Sequence, residues 1–435
     1  MKHFFKIVLF TLCALLVGGV LLIASLQSYI NQPSMGEKIR LAASQALAAE
    51  VTFDSLEVSF LEGLESESVQ IATHPDKTTP FLSISEVLMT YNPFKLFQKQ
   101  IDLKVIRLDS PEVNFIQDED GEWNIPSGES ESNEITFDSG WVTFDILLQQ
   151  FILTQGTVNV SNAAGEKFFS AQGIDINGQL IRVPSGIQAS GNIHVSAFQF
   201  YDMLTLEKIQ SSINYENRIL TLPDLTGSAY QGEATGSGQI DLGIGGPTFK
   251  LQIELTQVDF LPLFLDLKGN SGLAEGKLDL QCQLEGNLNR TNQLSGTGTL
   301  QMTEVLLAES LLVKTIAEDL KLPALTDLKV DTIDGEYKFA DLTFTFYRLE
   351  GLSEFVRFTA NGPVRPDRSL AIDVLLILHP ELAEQMPGDH LAHFRPNSEG
   401  HYCLPFQIGG HLDEPETNLR DLLNAPLPEL EPSSP

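Results

Sequence analysis

Over most of this chain, polar and apolar residues alternate one for one in short stretches separated by Gly, Asn, Asp and Pro. In GKLDLQCQLEGNL, residues 276–288, the apolar positions Leu278, Leu280, Cys282 and Leu284 alternate with Asp279, Gln281, Gln283 and Glu285. A strand places successive side chains on opposite faces, whereas a helix repeats every 3.6 residues, so this period of two predicts a half-buried β-strand. The same device recurs in SLEVSF (Leu56, Val58, Phe60), GTVNVS (Val158, Val160), GIDINGQL (Ile174, Ile176) and TFKLQIEL (Phe249, Leu251, Ile253, Leu255). It continues in ADLTFTFYRL (Leu342, Phe344, Phe346), SLAIDVLLILHP (Leu370 to Leu378) and YCLPFQIGG (Tyr402 to Ile408). In IDLKVIRLDSPEVNFI the phase changes near Val105 and Ile106.

Helical periodicity is scarce. Ile39, Ala43, Ala46 and Leu47 share one helical face behind the capping-box pair Ser34 and Glu37, which predicts an amphipathic helix from Met35 to Ala49. DFLPLFLDL predicts a short helix, and EVLLAESLLVKTIAEDL predicts a longer one from Glu304 to Leu320. The run from Ile7 to Leu26 carries no charge. About 20 helical residues span roughly 30 Å, the thickness of a bilayer's hydrocarbon core, so residues 1–30 are predicted to be a transmembrane anchor. Lys2 and Lys6 precede the run and place the N-terminus in the cytoplasm, with the body exported. The run is longer than the apolar core of a cleaved signal peptide and no A-x-A site follows it. Polar and acidic residues mark 128–134 as a linker, and residues 421–435 form an acidic, Pro-rich tail expected to be disordered.

The predicted fold class is therefore mainly β, with an antiparallel sheet of about 20–25 strands at ~4.8 Å each and a few short helices. Such a sheet has an apolar face that must be covered, and the predicted helices are too few to cover it all. Two architectures satisfy the pattern. The sheet closes on itself as sandwiches, or it stays elongated, twists and curls into a groove whose greasy face lines the inside. In the groove reading, Leu278, Leu280, Cys282, Leu284, Leu342, Phe344 and Phe346 line the apolar surface.

Composition narrows the chemistry. The chain has 435 residues, 42% of them hydrophobic and 20% charged, so it is long and apolar enough to build a core. A formal net charge of −31 repels phosphate backbones, which argues against nucleic-acid binding. No nucleophile elbow, P-loop, HExxH helix or dinucleotide fingerprint occurs, so no enzyme activity and no cofactor are expected. GDHLAHFRPNSEGHYC gathers Asp389, His390, His393, His401 and Cys403, but at no common metal-site spacing, and it reads as a polar loop. The acidic run from Asp118 to Glu122 lacks the ligand spacing of a calcium loop, and Trp123 beside it reads as a local packing anchor. Cys282 lies on the apolar face of its strand and reads as a buried free thiol rather than as a partner for Cys403.

The order of these segments resembles the AsmA family. An anchor and an amphipathic helix lead into VTFDSLEVSFLEGLESESVQIA, PFLSISEVLMTYNPFKLF and IDLKVIRLDSPEVNFIQDEDGEWNI, which is similar to the family's N-terminal module and covers residues 31–127. GSAYQGEATGSGQIDL, SGTGTLQMTEVLLAESLL and LPFQIGGHLDEPETNL are similar to its C-terminal region, here 251–420, with β-rich groove repeats over 135–250 between them. The resemblance implies a bridge-like lipid transfer protein anchored in the inner membrane, with its body in the periplasm. Its β-groove would hold phospholipid acyl chains on their way to the outer membrane. This chain is shorter than many such relatives, so a periplasmic or outer-membrane protein partner is expected to complete any path between the two membranes.

Overall fold

The computed structural model describes residues 35–59, 63–73, 79–92, 95, 100–118, 123–126, 145–162, 164–183, 186–200, 204–243, 248–266, 275–287, 290–307, 310–326, 328–341 and 343–426. The expected membrane run from Ile7 to Leu26, the linker at 128–134, Leu342 and most of the Pro-rich tail lie outside them. Among the described residues no helix is long and apolar enough to cross a membrane. The protein is mainly β with a few short helices, and it divides into two compact units. One comprises Met1–Gly227 with Ser237–Phe249, and the other Ser228–Gly236 with Lys250–Pro435.

In the first unit, helix α1 (Met35–Leu47) ends where Ala48 turns left-handed, and it places Leu47 in the core. The Glu37 carboxylate pairs with Arg40 at 2.6 Å, and its expected capping-box partner Ser34 lies outside the described residues. Strands β1 (Glu50–Thr52) and β2 (Ser55–Ser59) both pair antiparallel with β3 (Gly63–Ala72), which pairs with β4 (Leu82–Tyr91). β4 in turn pairs with both β5 (Gln100–Asp109) and β6 (Glu112–Gln117). The phase change read near Val105 is a β-bulge: Thr90 pairs with Val105 but Tyr91 with Leu103, so Lys104 is the extra residue. The bulge keeps Leu103, Ile106 and Leu108 all buried although their spacing breaks strict alternation.

Strand β7 (Asp145–Asn162) departs from the expected all-antiparallel order. It runs parallel to β5 and β6 in one unbroken register, from Gln100 opposite Asp145 to Gln117 opposite Asn162. β5 and β6 thus act as one strand interrupted at Ser110 and Pro111. The break is bridged by hydrogen bonds from Ser110 N to Thr154 O and from Thr157 N to Pro111 O, each 2.8 Å. Parallel neighbours need a crossover far longer than a hairpin, and the stretch between Gln117 and Asp145 supplies one. Its described part is informative. Trp123 packs against the core, as the sequence suggested, and Asn124 is buried. Asn124 Oδ1 accepts from Ile116 N at 2.7 Å and its Nδ2 donates to Asn114 O at 2.9 Å, so one side chain extends the ladder of β6. Beyond β7, strands β8 (Lys167–Val183), β9 (Gly186–Phe200) and β10 (Leu204–Glu216) follow as antiparallel neighbours, and then β11 (Ile219–Ala229).

The boundary between the units falls within β12 (Gly232–Asp241) and β13 (Thr248–Asp259). The second unit continues with α2 (Phe260–Asp266), β14 (Glu275–Asn287), β15 (Arg290–Leu306), α3 (Leu311–Leu320) and β16 (Lys329–Ala340). β17 (Thr343–Leu352), β18 (Val356–Val364), β19 (Ile372–Leu378), the single turns α4 (Pro380–Ala383) and α5 (Gly388–Leu391), and β20 (Arg395–Pro396) follow. β21 (Tyr402–His411), β22 (Glu414–Thr417) and α6 (Leu419–Asn424) complete it. Each strand from β14 to β19 pairs antiparallel with the next, and β19 pairs with β21.

The helix expected from Glu304 is shorter than its periodicity suggests. Glu304 to Leu306 still belong to β15, because Val305 is fully buried opposite Val330. The helix begins only after Ser310, whose Oγ accepts from Val313 N. α3 and α6 then cover the apolar side of β18, β19 and β21, burying Leu320, Leu378, Leu404, Phe406 and Leu419 in one core. Arg420 ties α6 to Asp319 of α3 at 2.8 Å.

Replacing Asn124 by Ala leaves Ile116 N and Asn114 O without their side-chain partners in a buried place. The expected cost is about 1–3 kcal/mol of stability, read as a lower urea midpoint. An unchanged midpoint would show that the side chain does not hold this edge.

Candidate functional site

Register decides which of the predicted apolar residues share a surface. Leu278 lies opposite Met302 and Met302 opposite Ile333. One step along, Leu280, Leu300, Gly335 and Leu349 form a cross-strand row. The next row is Cys282, Gly298, Tyr337 and Phe346, and the next Leu284, Gly296, Phe339 and Phe344. Leu278, Leu280, Cys282, Leu284, Phe344 and Phe346 therefore lie on one face of β14 to β17, as the alternation predicts; Leu342 is not among the described residues. The opposite face is hydrophilic, with Gln281 bonded to Glu254 and Gln301 to Asp334.

The glycines in these rows are filled by neighbours. The Tyr337 ring lies over Gly298, where a Cβ would overlap it, and its hydroxyl donates to Gln281 O at 3.3 Å. Phe358 fills the space over Gly351 in the same way. Burial pushes both the Tyr337 phenol and the Cys282 thiol up, so both stay protonated at neutral pH. Cys282 and Cys403 are free thiols.

This face is only partly covered. Leu278 is 5% exposed, but Leu280, Cys282, Leu284 and Phe346 are half-buried and Phe344 is 43% exposed. Phe344 stacks against Phe339 with ring centres 4.9 Å apart. A sandwich core would bury these side chains, as the helix-covered core around Leu378 does.

An apolar hollow lies in the first unit, at residues the sequence reading did not select. It is a cavity of about 310 Å³. Phe81, Leu82 and Phe115 form its floor; Phe81 is 1% exposed and meets Phe115 edge to face at 5.5 Å. Leu153, Ile174 and Ile176 contribute to its walls, and Leu180, Ile187 and Ala189 line its other end, where Ile187 is 39% exposed. Two facing glycines in the lining let β8 and β9 approach closely. Gly178 pairs with Gly191, and a Cβ on Gly191 would fall 2.6 Å from the Gly178 Cα. Isolated glycines inside alternating strands were the available signal, because they mark places where a strand presents no side chain. The polar lining includes Thr157, Gln179, Ser190 and Tyr215, and Gln179 Nε2 donates to Ser190 Oγ at 3.2 Å.

The histidine-rich stretch is not a loop throughout. His390 is buried in α5 with Nδ1 3.4 Å from Leu320 O, where it links that turn to the end of α3. His401 stacks near His379 at 5.5 Å, and Cys403 Sγ contacts His401 O. Among the described residues no three His, Cys, Asp or Glu side chains gather as metal ligands.

Gly298→Val is expected to destabilise the second unit by about 1–3 kcal/mol, because the side chain must displace Tyr337 from a packed row. Gly388→Ala, where a Cβ meets open space, is the control and should unfold at the wild-type urea concentration. Equal midpoints for both variants would refute this account of the row.

Residues 1–217 match the sequence model of the AsmA family. No curated protein and no solved structure matches the chain.

Proposed function

Since the chain belongs to the AsmA family through its first 217 residues, we propose that it is an inner-membrane-anchored periplasmic protein that holds phospholipid acyl chains on its apolar β-surfaces. Its role is then lipid transport or outer-membrane biogenesis. The observation that carries this reading is the incompletely covered apolar face of β14 to β17, together with the apolar cavity of the first unit. In this reading the sheet curls into an elongated groove with its greasy rows inside. The uncharged run from Ile7 to Leu26 is the single anchor, with Lys2 and Lys6 on the cytoplasmic side.

The physics suits a carrier more than a catalyst. Each buried methylene contributes about 0.8 kcal/mol, so a chain lying on a row of Leu, Phe and levelled Gly is held by many small, nearly equal contacts. Sliding by one row exchanges like for like and meets a low barrier. No nucleophile, cofactor or metal enters this mechanism. With one anchor and a limited number of strands, a periplasmic or outer-membrane protein partner would receive the lipid at the far end.

A second reading is a non-transporting envelope assembly protein with a closed β-sandwich body. The helix-covered core of β18, β19 and β21 is the observation in its favour. Mass spectrometry of the gently extracted protein separates the two. The expected result is co-purified phospholipid, with Leu280→Asp and Phe344→Asp each reducing it severalfold while Gln281→Glu does not. A carboxylate costs several kcal/mol only where water cannot reach it, so on a partly open face circular dichroism should stay unchanged. Loss of the fold in both Asp variants would favour the closed body. Absence of lipid from the wild-type protein would defeat the carrier reading.

A further inference from the structure

The cavity of the first unit has a direction. Its floor residues Phe81, Leu82 and Phe115 are buried, whereas Ile187 at the other end is substantially exposed. Tyr215 belongs to that exposed end: it pairs with Ala189, and Ala189 with Leu180, so this row puts its phenol on the cavity face. The side chains of Gln179 and Ser190, one residue out of that row, point to the opposite face. An apolar hollow with a phenol at its exposed end matches the outline of an amphiphile.

A cation stands beside this end, outside the cavity lining but close enough to act on the Tyr215 phenol. Asn217 and Arg218 form the turn between β10 and β11, both with left-handed backbone at φ 52° and 68°, which is the geometry of a two-residue hairpin turn. Arg218 therefore sits three residues from Tyr215 at the cavity's end of its strand. Its nearest acid along the chain, Glu216, accepts a hydrogen bond from Gln188 Nε2 at 2.6 Å. Among the described residues no carboxylate lies within ion-pairing distance of Arg218, although the protein carries 58 acidic residues against 27 Lys and Arg. Burial raises the Tyr215 phenol and the Arg218 charge pulls it back, which leaves an O–H donor at neutral pH.

We propose that this cavity takes one alkyl chain carrying an anionic head, with the tail on Phe81 and Phe115 and the head at Tyr215 and Arg218. The inference rests on the acyl-chain reading above and adds selectivity to it. A volume of about 310 Å³ stands at the low end of small-molecule sites, which run from about 300 to 1,000 Å³. That size suits one tail and not two. The head is a carboxylate, as in a fatty acid, or a phosphate, as in a single-chain phospholipid; both are acceptor-rich anions that a guanidinium and a phenol recognise.

The test uses the purified full-length protein and electron spin resonance of chain-labelled probes below their micelle concentrations. Spin-labelled stearate is expected to bind roughly tenfold more tightly than its uncharged methyl ester, the factor that one charge-assisted contact supplies. Arg218→Gln, a change on an exposed turn, should erase that preference while leaving ester binding as it was. Ala189→Trp should abolish immobilisation of both probes, with circular dichroism confirming that the fold persists. A phosphate-headed single-chain probe run beside stearate distinguishes the two sources, since the better-held head identifies the natural one. Equal binding of stearate and ester, unaltered in Arg218→Gln, would overturn head recognition but leave the tail site standing. Failure of every probe to bind would overturn both the head recognition and the acyl-chain reading of this cavity.

Discussion

Pairing register is the constraint from which everything else in this protein follows. Side chains on a strand alternate between faces with a period of two, so a slip of one residue between two strands would exchange an apolar face for a polar one. Leu280 meets Leu300 and then Gly335 and Leu349 only because β14 to β17 pair as they do. Where the sequence breaks its own alternation, the backbone absorbs the extra residue. Lys104 is such a residue, and Gln155, Lys208 and Glu304 are strand positions with left-handed backbone. Gln155 N is held by the Asp175 carboxylate at 2.8 Å, which satisfies a donor that the ladder would otherwise leave unpaired.

Given a fixed register, side-chain volume across each row sets the local relief of the apolar face. Glycine has opposite consequences in the two units. Over Gly298 and Gly351 a neighbouring aromatic ring occupies the missing volume and the row becomes level. Gly178 and Gly191 face each other across β8 and β9, where a Cβ on Gly191 would run into the Gly178 Cα and the Asn177 carbonyl, so this pair lets two backbones close up. The difference comes from which residue stands opposite each glycine, not from the glycine itself.

Coverage is the second variable. At β18, β19 and β21 the helices α3 and α6 close the face and form a dry core whose largest members are almost fully buried. At β14 to β17 helical cover is incomplete: α2 packs against β14, and Phe344 remains exposed. Apolar surface left in water is unfavourable by about 25 cal/mol per Å², and the proposed lipid role rests on this incompletely covered face together with the AsmA relationship.

The amino-acid sequence by itself determined the strands, because the period of two is a property of each segment and needs no partner. It also marked the faces within each segment, Leu278, Leu280, Cys282 and Leu284 in one and Phe344 and Phe346 in another, and pairing register brings the two sets to one surface. Family order was readable in the same way, from the succession of segments. The tertiary structure decided what no single segment contains. Helix α3 begins at Leu311 rather than Glu304 because Val330, a distant residue, holds Val305 in the sheet. β7 runs parallel to β5 and β6 because a long crossover returns the chain in the same direction, and alternation is identical for parallel and antiparallel partners. The cavity needs Phe81 and Phe115 brought together with Leu180, Ala189 and Tyr215, which are far away in the chain. Those are relations between strands, and hydrophobic periodicity along one strand carries no information about who stands across from it.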